Sequence, residues 1–441
     1  MKKNLLAALT LAVVVFASSC KKDNDSSNSN FSKRSTTADY SGFPATVQAV
    51  SGDITTNTTW TSDKVWEISG VVTVTSGATL TIQPGTFIKS SANVTGVQNG
   101  VLVIARGARI DATGTAAAPI VFTSRNLLDG DASTVGKPGD FGGVIVLGNA
   151  HVNTGTKSIE GLNPGNSNFT YGGSAEADNS GTIKYVRIEY AGFQLAENNE
   201  VNGLTLGGVG SGTTLDYIQV SYGLDDSFEF FGGSVNATHL LSLAADDDNF
   251  DFDNGYNGSI QYAIAVADGN STHSVSGTSS DSNGIESDNN APTEDATFSL
   301  LPKTHPTLTN ISIIGTNTTA VASGLGYKYG VRNRRGAEIT LRNSIITGYP
   351  SGFVFDGTTP SLSTLANNSV HGFTIAIDPA TAAAGNVVAT GSPASAFNIA
   401  QPWFNAPGSP TTLDFLVSTG VKGAVTSTTG NWTATWTKFV F

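Results

Sequence analysis

The sequence predicts an all-β protein, a single right-handed parallel β-helix with capped ends. Three observations predict it. From about Val50 onward, β-rich runs alternate with Gly/Asn turns, and helical periodicity is scarce. A unit of apolar strand, turn, apolar strand, turn recurs every twenty-odd residues. The stretch "DDSFEFFGG" returns 22 residues later as "DDNFDFDNG", with Glu229 and Asp251 in equivalent places. Periods of that size mark stacked solenoids, in which each unit buries its apolar face against its neighbours.

Composition agrees. Only 13% of the 441 residues are charged, 39% are hydrophobic, and there are 50 glycines but 15 prolines. That is enough apolar material for a large core, with the small residues that tight turns need. The formal charge is −12, and loss of Lys2 and Lys3 with the leader takes it to −14. So acidic a chain repels nucleic acid and attracts cations, which excludes nucleic acid as the expected partner.

Along the chain, residues 1–19 come first. "MKKNLLAALTLAVVVFASSC" has two lysines, an apolar run from Leu5 to Ala17 and small residues before Cys20, the one cysteine. The apolar run is too short to span a bilayer and reads as a signal-peptide core. Residues 20–46 are polar, without periodicity, as a flexible tether is. Residues 47–378 carry the coils, and 379–441 are expected to form C-terminal coils and a cap. The five tryptophans lie near the two ends of the chain, where they are expected to cover the open ends of the solenoid.

Register follows from the repeat. Thr205, Glu229, Asp251, Glu286, Arg332 and Val354 align, Glu286 standing 35 residues after Asp251, one coil plus an inserted loop. A second strand repeats as "KYVRIEYAG", "DYIQVSYGL", "THLLSLAAD", "TLTNISIIG" and "LRNSIITGY". Alternation along a strand sends neighbours to opposite faces. Phe228, Phe230, Phe250, Phe252 and Ile285 therefore stack inward, each phenylalanine contributing about 1.5–3 kcal/mol. Their acidic neighbours are expected on one exposed outer face.

Those neighbours form columns. The first holds Glu229, Asp251 and Glu286 and ends on Arg332. The next holds Phe231, Asp253, Asp288 and Arg334. A third acidic group, Asp225 and Asp226 above Asp247 and Asp248, lies at the turn entering the strands. Two carboxylates about 5 Å apart repel by roughly 3 kcal/mol at an effective dielectric of 20. Compensation can come from solvent and salt bridges, from a cation, or from a catalytic arrangement. Calcium is the expected cation, because hard oxygen ligands on neighbouring rungs, with Asn254 and Asn289 beside them, suit it. No HExxH, GxSxG or GxxxxGK pattern is present, and the histidines are scattered.

Several stretches carry a resemblance. "ASSC" resembles the lipobox of Gram-negative lipoproteins, which implies lipidation of Cys20 and a durable acyl anchor. Lys21 and Lys22 after it fit outer-membrane sorting, and the Lys–Asp cluster resembles surface-export signals. "TLTIQPGTFIKS", "IKYVRIEYAG", "VNGLTLGGVGSGTTLDYIQVSYGLDDSFEFFGG", "SNGIESDN" and "NWTATWTKF" look like a family of bacterial surface lipoproteins with a predicted β-helix and no established activity. At fold level the coils are also similar to the pectate-lyase-like superfamily. That likeness implies calcium held by Glu229, Asp251, Asp253, Glu286 and Asp288, and a proton-abstracting arginine among Arg332, Arg334 and Arg335.

The expected protein is thus a lipid-anchored, surface-exposed outer-membrane module that binds polysaccharide or another envelope component, with calcium as a candidate ion. The expectation leans against an enzyme. A polysaccharide lyase or hydrolase on the acidic face, and a purely structural envelope protein, are the alternatives.

Overall fold

The structure, a computed structural model, describes residues 40–92, 100–192, 194–196, 199–268, 275–276, 279–280, 282–316, 326–391, 422–425 and 431–438. Cys20 and the leader lie outside the described residues, as does Trp403. No helix among the described residues is long and apolar enough to cross a membrane.

The long strands pair in parallel with the counterpart one coil away, as a β-helix requires. Three stacked sheets result. The front sheet carries Leu204–Gly207, Phe228–Phe231, Phe250–Asp253, Ser282–Ser287 and Tyr327–Arg334 in successive rungs. Its register is the expected one: Thr205 pairs with Glu229, Glu229 with Asp251, Asp251 with Glu286, Glu286 with Arg332, and Arg332 with Val354.

The second repeated strand is not one flat element. Thr214–Ser221, Asn236–Leu243, Ser259–Val266 and Thr307–Ile314 each bend at the fourth residue and serve two sheets. The pivots are Tyr217, His239, Tyr262 and Asn310, joined by Tyr185, Asn343 and Asn367, all with φ between 51 and 60°. Asparagine tolerates this left-handed conformation, but tyrosine and histidine rarely adopt it. Ring stacking offsets the strain. Tyr185 lies 4.4 Å from Tyr217, Tyr217 lies 4.2 Å from His239, and His239 lies 5.3 Å from Tyr262, all near parallel.

Inside, the phenylalanine ladder is present. Phe228 and Phe250 stack at 5.2 Å with planes 10° apart, and Phe230 and Phe252 lie 5.2 Å apart. After "FEFF" the chain turns through Gly232 and Gly233, both at positive φ. A side chain at Gly233 would drive a Cβ to 2.4 Å from the Val209 carbonyl oxygen, so the turn needs glycine.

The tryptophans divide. Trp60 and Trp66 stack at 5.3 Å in the first coils, Trp60 fully buried. Trp432 and Trp436 do not cover an end. They lie along the flank, edge-on to His239 at 5.2 Å and to Tyr185 and Tyr217 at 5.8 and 5.9 Å. Residues 422–425 and 431–438 form a strap running back across the sheet built by the strand halves that follow the left-handed pivots. Gly423 N–H donates to Asn343 O, Ala424 N–H to Ser312 Oγ, and Lys438 N–H to Gln219 Oε1. Ala424 and Val425 join an outer apolar cluster with Leu241, Ile264 and Ile314. The outward apolar residues of that sheet explain the path, since the strap removes them from water.

Candidate functional site

The front sheet places the acidic columns on its outer side, yet most of these carboxyls are not exposed. Glu229 is 6% exposed, Glu286 7%, and Asp226, Asp248 and Asp288 are equally buried. The expectation of an exposed acidic face is therefore corrected. Residues 149–173, inserted between two coils, pack Ile159, Leu162, Phe169 and Tyr171 onto Ile145, Leu147 and Phe231 of the front sheet. This roof reaches the acidic rungs. Asn153 Nδ2 donates to Asn289 O at 2.8 Å, and Lys157 bridges Asn254 and Glu294.

The turn carboxyls belong to the same site as the column, not to a third cluster apart. Asp226, Glu229 and Asp251 each offer an oxygen within 4.8 Å of the others. So do Asp248, Asp251 and Glu286, and so do Asp225, Asp226 and Asp247. The turn residues also tie the rungs together: Asp248 N–H donates to Asp226 Oδ1, and Asn283 N–H donates to Asp248 Oδ1. Each carboxylate thus accepts the backbone donor of the coil after it.

Among the described residues, arginines compensate one end of the columns. Arg334 donates to Asp288 Oδ1 at 2.7 Å and to Glu286, and Arg335 donates to Asp288 Oδ2 at 2.7 Å. Arg332 pairs with Asp356 at 2.8 Å and lies 3.5 Å from Glu286. The other end has amides: Asn202 donates to Glu229. Asp251 sits between the two ends, and its Oδ1 is buried with no hydrogen-bond partner.

The electrostatic consequence is large. Burial pushes the Asp226, Glu229, Asp248 and Asp251 carboxyls well above the usual carboxylate range. Neighbouring carboxylates add to it: Asp247 and Asp225 for Asp226, Glu160 for Glu229, and Glu286 for both Asp248 and Asp251. Asp253 is raised to about 7 by burial and Asp288, against the pull of the Asn254 N–H and Lys157.

Such a cluster holds either protons or a hard cation. Its chemistry fits calcium: several carboxylate oxygens converge from adjacent rungs, with one buried oxygen unsatisfied. It fits an arginine-driven proton abstraction less well, because Arg332, Arg334 and Arg335 all donate to carboxylates.

The sequence missed Glu160, Asn202, Lys157 and Glu294. The first and last two come from inserted loops, whose placement no repeat reveals. Asn202 was findable, since it precedes Leu204 by the spacing that separates Asp226 from Phe228.

Parallel rungs stacked coil upon coil define a parallel β-helix solenoid. The profile of the pectate-lyase-like β-helix domain matches residues 52–437, and the chain belongs to that family. No curated protein matches the chain. Among solved structures it is similar to the Dettilon tailspike protein, at 11% identity and a TM-score of 0.23. That match covers 77% of this chain and 63% of the tailspike, so the chain spans less than two thirds of its length.

Proposed function

We propose that this protein binds polysaccharide along its front sheet and holds a divalent cation, calcium by its donor set, among Asp226, Glu229, Asp248, Asp251 and Glu286. Membership of a pectate-lyase-like family supports a polysaccharide ligand. The observation that carries the cation is Asp251, whose buried Oδ1 lacks a partner while carboxyls crowd it from both adjoining rungs. A binding role is favoured over a lyase because the three arginines beside the columns are all held in ion pairs. The lipobox-like "ASSC" supports a lipid anchor at Cys20, and Lys21 and Lys22 after it support an outer-membrane address, with the module facing outward on its tether.

A hydrolase is the second reading, and Asp253 favours it. A carboxyl raised to about 7 keeps its proton near neutrality, as the acid of a glycoside hydrolase must. Calorimetric titration of the mature chain with calcium, followed by a glycan array and a reducing-end assay on each bound glycan, separates the readings. Calcium binding and glycan retention without new reducing ends are expected. New reducing ends, lost in Asp253→Asn, would establish the hydrolase, and no calcium heat would remove the cation site.

A further inference from the structure

We propose that Lys157 and Asn254 join in an intramolecular isopeptide bond that fixes the roof to the front sheet, with Glu294 as the proton relay. Three elements far apart in the chain bring these side chains together. Lys157 pairs with Tyr171 inside the roof, Asn254 follows the front-sheet strand Phe250–Asp253, and Glu294 comes from the loop after Ser282–Ser287. Lys157 Nζ lies 3.1 Å from Asn254 Oδ1 and also contacts Glu294 Oε1. The other oxygen of Glu294 accepts the Ala291 N–H at 2.9 Å, which holds the carboxylate toward the lysine.

A plain ion pair does not account for the whole arrangement. Lys157 has a carboxylate partner, yet it is also set against an amide. Asn254 is 1% exposed, and its Nδ2 has no hydrogen-bond partner among the described residues. A buried amide donor left in that state is costly. The reaction proposed here expels that nitrogen. The backbone beside the pair is pinned as well, because the Asn254 carbonyl accepts the Asn153 N–H of the roof at 2.9 Å. Groups held this close react as if at very high concentration.

Glu294 takes one proton from the Lys157 ammonium, and the freed amine attacks Asn254 Cγ. The Nζ–Cγ bond forms as the carbonyl π pair moves onto Oδ1. Glu294 passes its proton to Nδ2, and the Cγ–Nδ2 bond breaks as the pair on Oδ1 returns, releasing ammonia. Nζ sheds a second proton through Glu294 to that ammonia. The products are a neutral amide link and one ammonium ion, with no oxidant or reductant consumed. The link ties positions 97 residues apart and, as any cross-link does, restricts the unfolded chain.

Peptide mapping of the full chain by mass spectrometry tests this. A branched peptide joining the Lys157 and Asn254 segments, lighter than their sum by one ammonia, is expected from the unaltered protein. None is expected from Lys157→Arg, Asn254→Ala or Glu294→Gln, and in each the roof should lose protection against proteolysis. Lys157→Arg keeps the charge beside Glu294, so its loss of protection separates the covalent link from the ion pair. Asn254 precedes Gly255, and ring closure onto its own backbone would also release ammonia. Separate Lys157 and Asn254 peptides from the unaltered chain, with Asn254 altered or not, therefore overturn the proposal. A branched peptide at full yield in Glu294→Gln overturns the relay role of Glu294.

Discussion

Asp251 lies directly over Glu229 on the adjoining rung, and under Glu286 on the next, so three acidic side chains share one column of the front sheet. Backbone pairing at about 4.8 Å enforces the neighbourhood. It makes the column a place where charge must be compensated from outside the strands.

Calcium should stabilise the protein through this column. A ligand at about a hundred times its Kd adds about 2.7 kcal/mol to folding. Asp251→Asn is expected to lower calcium affinity by tenfold or more, and to stabilise the calcium-free protein by about 1 kcal/mol because it relieves repulsion. Thermal melts with calcium and with chelator check both signs. Unchanged calcium stabilisation in the variant would show that the ion binds elsewhere.

Without calcium, stability should fall as pH rises. The folded-state pKa values of Asp226, Glu229, Asp248 and Asp251 are raised, and Asp253 is raised to about 7. The unfolded carboxyls titrate near about 4. The folded state therefore binds more protons above about pH 4, and that contribution is lost as pH rises through the folded values. Denaturant titrations from about pH 5 to 8 in chelator should show the decline, and calcium should flatten it. A calcium-free protein whose stability climbs over that range would contradict the raised values.

His371 should act with the opposite sign. Its Nδ1 accepts the Gly348 N–H and its Nε2 faces the Gly391 carbonyl, so both ring positions are engaged in the neutral form. Burial lowers its pKa. Its contribution is present above the unfolded value of about 6.5 and is lost as pH falls below it. His371→Asn, which keeps an acceptor and a donor, should flatten stability on the acid side of about pH 6.5. An identical acid limb in the two proteins would rule the histidine out.

Removing a buried cation should be expensive. Arg334→Ala leaves Glu286 and Asp288 short of a partner, and an uncompensated buried pair typically costs about 3–5 kcal/mol. Chemical denaturation measures it. A loss under about 1 kcal/mol would mean that solvent reaches these carboxylates.

The strap predicts a local signature. Trp436 is 1% exposed against Tyr185 and Tyr217, and Trp436→Ala should cost about 3–5 kcal/mol. Hydrogen exchange should rise first at the rungs around Arg187 and Gln219, where strap carbonyls accept from both side chains and Lys438 N–H donates to Gln219. Exchange rising instead at the last coils, near Val387, would return these tryptophans to the role of an end cap.

Much of this was legible in the chain. The column Thr205–Glu229–Asp251–Glu286–Arg332 and the stack of Phe228 on Phe250 both follow from one repeat and the two-residue alternation of a strand. Local rules suffice there because each coil contacts chiefly its neighbours. The bend at Tyr217 and His239 was not legible, since nothing in "DYIQVS" or "THLLSL" marks a bulky residue for a left-handed conformation. It is the ring stack between coils that makes the conformation tolerable.

The sequence by itself determined the rungs, their register, and which side chains face the core, because these depend on periodicity and backbone pairing. Only the tertiary structure decided that the acidic columns are roofed by residues 149–173, that the arginines are tied to Glu286, Asp288 and Asp356, and that the C-terminal tryptophans lie along the flank. Those facts belong to inserted loops and a returning strap. Their positions are set by contacts between residues far apart in the chain, where no repeat constrains them.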